Sequence, residues 1–159
     1  MGFTLIELLV ILAILGILLS LGMSSYLSTR NPPRDAARTV QAALFNLRSQ
    51  AMSNTQARRM VLVNETDLVL QSALRCGETD QTRWTQIGTV PLDRGNRPLT
   101  LIAPNPTPAD PTVPSGSLLV VCFTPRGLAS TAGFLGVTDG RRSYQVQVAL
   151  GGGMKTNAQ

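Results

Sequence analysis

The sequence predicts an α+β protein in which a long N-terminal helix leads into a small antiparallel β domain. Three observations predict this class. Twenty-two uncharged residues, rich in Leu and Ile, separate Glu7 from Arg30. An amphipathic helical pattern then runs over residues 30–57. From residue 58 onward, short apolar stretches separated by turn residues recur along the chain, which is typical of strands.

Residues 3–29 form the first element, which we expect to be a membrane-spanning helix. The uncharged run exceeds the roughly 20 residues that cross a bilayer, whereas a secretory signal peptide has a shorter apolar core and a basic start. A buried core helix is the alternative, but few soluble helices are apolar on every face for so many turns. A carboxylate costs about 2.5–3.5 kcal/mol at the centre of a spanning helix, so we expect Glu7 to have a partner.

A second helix is expected over residues 30–57. Asn31-Pro32-Pro33 predicts a kink or break before it, because proline fits the first turn of a helix and disrupts its interior. Apolar residues then recur with helical spacing, namely Ala36, Ala37, Val40, Ala43, Leu44, Leu47 and Ala51. This face should pack on a sheet.

The β domain is expected over residues 58–159. Strand candidates are 60–63 and 68–71, joined as a hairpin, then 83–87, 99–103, 118–124 and 144–150. Five of the ten prolines lie in residues 104–116, which predicts an exposed loop without regular hydrogen bonding. Gly151-Gly152-Gly153 predicts a flexible tail.

Charge and cysteine content limit the function classes. All 14 Lys and Arg and eight of the nine acids lie from Arg30 onward, so that part carries a net charge of +6. Such a field attracts nucleic acid, anionic lipid or acidic partners without choosing among them. Outside the cytoplasm Cys76 and Cys122 are expected to form a disulfide, with two separate buried thiols as the alternative.

The composition argues against catalysis. The chain has no His, so neither a Ser–His–Asp nor a Cys–His arrangement is possible. The acids are scattered through turns, and no Gly-rich phosphate loop opens a helix. Two cysteines without His make a poor zinc site. We therefore expect a protein that is not an enzyme and uses no metal or cofactor.

The N-terminal residues Gly2-Phe3-Thr4-Leu5-Ile6-Glu7-Leu8-Leu9-Val10 carry a family resemblance. They resemble the class III signal and first helical turns of type IV pilins and type II secretion pseudopilins. The resemblance implies that a prepilin peptidase cuts between Gly2 and Phe3 and methylates the new amine, leaving residues 1–2 as a leader remnant. It also implies that Glu7 pairs with the free amine of Phe3 on a neighbouring subunit. The alternative is that Glu7 reaches water near the membrane interface.

A second stretch, Val121-Cys122-Phe123-Thr124-Pro125-Arg126-Gly127-Leu128-Ala129, resembles the strand–turn motif of the GspH/FimT pseudopilins. The combined resemblance implies a pilin fold, in which the long N-terminal helix packs through its C-terminal half on the β domain. It implies a single-pass inner-membrane protein that later enters a periplasmic or cell-surface filament. The implied partners are other pilins or pseudopilins, the peptidase and an inner-membrane assembly platform.

DNA uptake is the alternative function. Its candidate contacts are the basic residues Arg58, Arg59, Arg141, Arg142 and Lys155. DNA-binding members of the resembled family end in a Gly-Arg-rich stretch, whereas this chain ends with one Lys and no Arg after its last predicted strand.

The leader differs from that of the resembled family, whose leaders are usually basic. Arg30, Arg34 and Arg38 alone would favour the opposite orientation in the membrane. We therefore expect the native leader to be longer.

Overall fold

The structure, a computed structural model, describes residues 4–29, 31–63, 66–92, 98–104 and 111–159, with the backbone alone over residues 21–29. The chain divides into two compact units, residues 1–31 and 32–159. The first unit contains helix α1, Leu5–Thr29. The backbone N–H groups of Glu7 and Leu8 donate to the carbonyl of Thr4 at 3.1 and 3.3 Å, which marks the helix start.

The second unit begins with helix α2, Pro32–Ser53. Its two prolines occupy the first turn, where a missing N–H costs nothing. The helix ends four residues before the predicted boundary at 57, and Thr55 with φ 53° carries the chain out of it. The apolar face is as predicted: Ala36, Ala37, Val40, Leu44, Leu47 and Ala51 are buried, and Ala43 is partly buried.

Eight strands lie in the described part of this unit. They are β1 Ala57–Val63, β2 Asp67–Ala73, β3 Thr85–Val90, β4 Thr100–Ile102, β5 Ser117–Phe123, β6 Gly133–Thr138, β7 Ser143–Val148 and β8 Met154–Ala158. They form two antiparallel sheets, ordered β3-β2-β1-β5 and β4-β6-β7-β8. The predicted hairpin is present as the β1–β2 pair, although its turn residues 64–65 lie outside the described residues, as do residues 105–110 of loop 104–116.

Three strand expectations differ from the structure. Arg83 belongs to a short 3-10 helix, Gln81–Arg83, that Asp80 caps, so β3 begins after it. Strand β6 was not predicted, and residues 151–159 are not a flexible tail. Gly152, with φ 77°, instead turns the chain into β8, which pairs with β7 along its whole length.

One apolar core lies between α2 and the two sheets. It joins the buried face of α2 to residues of both sheets, among them Met60, Phe123 and Leu135. Leu44 and Leu47, at 0% and 1% exposure, each contribute about 1.5–3 kcal/mol from burial. This core fixes α2 and thereby every side chain that α2 presents to its neighbours.

Candidate functional sites

Helix α1 exposes apolar side chains along its described length. Leu5, Leu8 and Ile17, for example, are 78%, 55% and 61% exposed. A continuous apolar surface of this extent marks a membrane or protein contact. Glu7 is exposed in the first turn of the same helix. Among the described residues, which include no side chains over 21–29, no helix is long and apolar enough to cross a membrane.

The two cysteines anchor the β2–β3 connection, residues 74–84, to the first sheet. Cys76 is bonded to Cys122 of β5 across a separation of 46 residues, so the predicted disulfide is present. Their neighbours are Ala57, Ala73 and Trp84, which form a second apolar cluster. This cluster lies on the sheet face that points away from α2.

Arg59 ties the same face together. Its side chain is 1% exposed, and its Nε and Nη2 donate to Gln71 Oε1 at 2.7 Å and Gln81 Oε1 at 3.1 Å. Its Nη1 donates to the Thr112 carbonyl. The guanidinium carbon lies 3.6 Å from the ring centroid of Trp84, a cation–π contact. One buried cation therefore joins strand β2, the β2–β3 connection and the segment before β5.

Two acidic residues, Glu78 and Asp80, lie in the β2–β3 connection. The buried Glu78 carboxylate lies 3.5 Å from Arg83 and 3.9 Å from Arg75, and both arginines are mostly exposed. The pKa of Asp80 is lowered, chiefly by the hydrogen bond from the Thr82 hydroxyl at 2.6 Å and next by the Thr82 backbone N–H at 3.0 Å. These carboxylates cap and pair locally, and nothing in their geometry suggests an acid–base dyad.

Arg48 of α2 connects two glycine turns. Its Nε donates to the Gly127 carbonyl at 2.9 Å and its Nη2 to the Gly151 carbonyl at 3.4 Å. Gly127 and Gly152 have φ of 74° and 77°, and a Cβ on Gly152 would lie 2.7 Å from Arg48 Nε. Only glycine therefore lets both turns close around this guanidinium.

The predicted DNA contacts that stay exposed, Arg141, Arg142 and Lys155, do not converge. Asp139 Oδ1 accepts the backbone N–H groups of Arg141 and Arg142 at 2.9 and 2.8 Å, which leaves both guanidiniums exposed in the β6–β7 turn. Lys155 of β8 lies opposite Gln147. At about 3.4 Å per residue, Gln147 is some 17 Å along β7 from Arg142.

Comparison with known proteins finds similarities for both parts of the chain. Residues 2–23 match the family model described as the prokaryotic N-terminal methylation motif. The structure is similar to the minor pseudopilin EpsH from the type 2 secretion system of Vibrio cholerae, with TM-score 0.58 and 14% identity, covering 80% of this chain and 98% of that one. The chain therefore carries this motif and has a pilin-like fold. Two crystal forms of the Pseudomonas aeruginosa type IV minor pilin FimU are similar to it, each at 16% identity. Their TM-scores are 0.55 and 0.52, over 79% of this chain and 91% and 96% of theirs. No curated protein sequence matches it.

The predicted pilin-like fold class is thus confirmed. The predicted site residues have different outcomes from one another. Gly2 and Phe3 lie outside the described residues. The burial of Arg58 and Arg59, 8% and 1% exposed, contradicts the expectation that they contact DNA. Arg58 instead donates to Gln50 of α2 at 2.9 Å, and both face packed layers.

Sequence reasoning missed the roles of Arg48 and Arg59. Their partners come from segments far away in sequence, so no local pattern reports them. The resemblance at residues 121–129 did include Gly127, whose carbonyl binds Arg48. That motif therefore carried a structural signal whose other half lies in α2.

Proposed function

We propose that this chain is a minor pilin or pseudopilin of the GspH/FimT type, a structural subunit of a type IV pilus or a type II secretion pseudopilus. The observation that carries the proposal is the pairing of two features on one chain. The N-terminal methylation motif spans residues 2–23, and an α2–two-sheet unit like those of EpsH and FimU follows it. A membrane-anchored precursor and later assembly through α1 account for both.

The precursor is cut by a prepilin peptidase after Gly2, which exposes the amine of Phe3 for methylation. Before assembly, α1 holds the protein in the inner membrane. An assembly platform then moves it into a periplasmic or cell-surface filament, where the apolar surface of α1 packs against other pilins. Gly2→Ala should be cleaved poorly, and larger residues at position 2 should block cleavage.

Glu7 supplies the register signal for assembly. In a dry bundle of helices its carboxylate and the amine of Phe3 on a neighbouring subunit offset each other's desolvation, and a register error leaves both charges buried and unpaired. The exposure of Glu7 on α1 keeps it available for a second chain.

A local role for Glu7 has to be separated from this pairing. Thr4 and Glu7 have the spacing of a capping box, in which Gln replaces Glu without loss. An ion pair, in contrast, requires the charge. Glu7→Gln and Glu7→Ala should therefore both abolish filament entry if pairing is the role, with membrane insertion intact.

The assay is fractionation of sheared filaments, followed by detection of this chain in the filament and membrane fractions. Wild type should appear in both fractions and Glu7→Gln only in the membrane. Normal filament entry of Glu7→Gln would leave helix capping as the role of this residue and refute the pairing.

DNA uptake is a second candidate, favoured by the exposed guanidiniums of Arg141 and Arg142 in the β6–β7 turn. Such a surface would bind the phosphate backbone without reading sequence, and binding would weaken steeply with salt. The full chain in detergent should then bind duplex DNA at low salt and lose binding in Arg141→Gln/Arg142→Gln. Binding that is equal in both proteins would remove this candidate.

A further inference from the structure

A polar cavity of about 450 Å³ lies between the first half of α2 and the β7–β8 hairpin. Arg34, Arg38 and Gln41 of α2 line one side, and Tyr144, Thr156 and Ala158 line the other. The Thr156 hydroxyl donates to Gln41 Oε1 at 2.9 Å, which ties the edge strand β8 to the helix beside the cavity.

Both charged residues that line this cavity are arginines. Arg34 and Arg38 are exposed and four residues apart, so they share one helix face, and like charges at that spacing destabilise a helix slightly. Asp35 points about 100° around the helix from Arg34 and does not line the cavity. Across the residues described, the guanidinium of Arg38 makes no hydrogen bond or ion pair. The arrangement suits an anion that accepts from both guanidiniums, as phosphate oxygens do.

We propose that this cavity binds the phosphate of an anionic phospholipid head group. Arg34 is the fifth residue after Thr29, the last residue of α1. Five residues of chain span at most about 18 Å, so in a chain anchored by α1 the head-group region is within reach of Arg34. Basic side chains there are attracted to anionic lipid by about 1 kcal/mol each. The hydroxyls of Tyr144 and Thr156 and the Gln41 amide can bond the glycerol hydroxyls of such a head group.

The proposal gives a role to the arginines that follow the apolar helix. By the positive-inside rule, these arginines oppose the membrane orientation that the pilin resemblance implies. A head-group site gives two of them a function at that surface. The inference rests on the membrane-anchored precursor proposed above.

The test is native mass spectrometry of the full chain in dodecyl maltoside, titrated with palmitoyl-oleoyl phosphatidylglycerol or with the matching phosphatidylcholine. Wild type should retain one phosphatidylglycerol and bind it at least about tenfold more tightly than phosphatidylcholine, because the choline cation faces two arginines. Arg34→Gln/Arg38→Gln should lower the affinity for phosphatidylglycerol at least about tenfold, as expected from the loss of two charge-assisted hydrogen bonds.

Arg141→Gln/Arg142→Gln is the matched control, since it removes the same charge from another exposed surface. It should bind phosphatidylglycerol like wild type. Equal binding by the cavity variant and wild type, or equal losses in both variants, would overturn the proposal. So would displacement of the lipid by low-millimolar inorganic phosphate, or tighter Arg34-dependent binding of a short oligonucleotide. Thermal melting of each variant checks that the fold is intact.

Carbonate extraction of membranes from cells that express the same proteins separates the two levels of the proposal. Loss of wild type from the membrane pellet would refute anchoring and with it the proposed function. Retention of every variant in the pellet, together with unchanged lipid binding by Arg34→Gln/Arg38→Gln, would refute lipid binding in the cavity and leave the proposed function standing.

Discussion

Reduction of the Cys76–Cys122 disulfide should destabilise the second unit strongly. The bond closes a loop of 46 residues, and the chain-entropy relation assigns about 4 kcal/mol to a loop of that length at 25 °C. For a unit of this size, with an unfolding entropy of roughly 2.1 cal/mol/K per residue, that corresponds to a fall in melting temperature of about 15 °C. The bond also holds the β2–β3 connection on the sheet.

Trp84 provides the readout because it is the one tryptophan of the chain and packs in the same cluster as the disulfide. The full chain in detergent would be melted with and without reductant, followed by Trp84 fluorescence and by circular dichroism. Cys76→Ala/Cys122→Ala is the control, and reductant should not change its melting temperature. Identical melting of oxidised and reduced wild type would refute the reasoning that the bond stabilises this unit.

Three further predictions concern the second unit. Arg59→Met should lower the free energy of unfolding by about 3 kcal/mol, because three partly buried acceptors lose their donor. Chemical denaturation measures this, and a loss below about 1 kcal/mol would contradict the role of Arg59 in joining these segments. Gly152→Ala should destabilise more than Gly140→Ala, although both have positive φ, since at residue 152, unlike residue 140, the new methyl would clash with a backbone atom, the Gly127 carbonyl oxygen. Equal melting temperatures would exclude the packing effect. Arg48→Ala should lower the free energy of unfolding by about 2 kcal/mol through two lost carbonyl contacts. Arg126→Ala, at an exposed site, should leave it almost unchanged. Equal losses in the two variants would contradict the role of Arg48.

Helix α2 could be predicted from the sequence because its apolar residues follow a 3.6-residue period and its prolines mark its start. Helix and sheet periods are local properties, so Val40, Leu44 and Leu47 were assigned to the core correctly. Strand β8 could not be predicted in this way. Met154–Ala158 has no apolar alternation and forms because its backbone pairs with β7.

The burial of Arg58 and Arg59 could not be predicted from the sequence. Charged side chains are rarely buried, so both residues were expected on the surface. Only the folded chain brings Gln71, Gln81 and Trp84 around Arg59. Burial of a charge depends on partners that local sequence does not contain. The Cys76–Cys122 disulfide could be predicted, because two cysteines allow only one pairing within the chain.

The mass of the N-terminal peptide of this chain, isolated from the membranes of cells that carry a prepilin peptidase, tests the central claim most directly. The account predicts a peptide that begins at Phe3 with a methylated amine, since processing after Gly2 precedes assembly through α1. A membrane-inserted chain that keeps Gly2 joined to Phe3 in the presence of the active peptidase would contradict it.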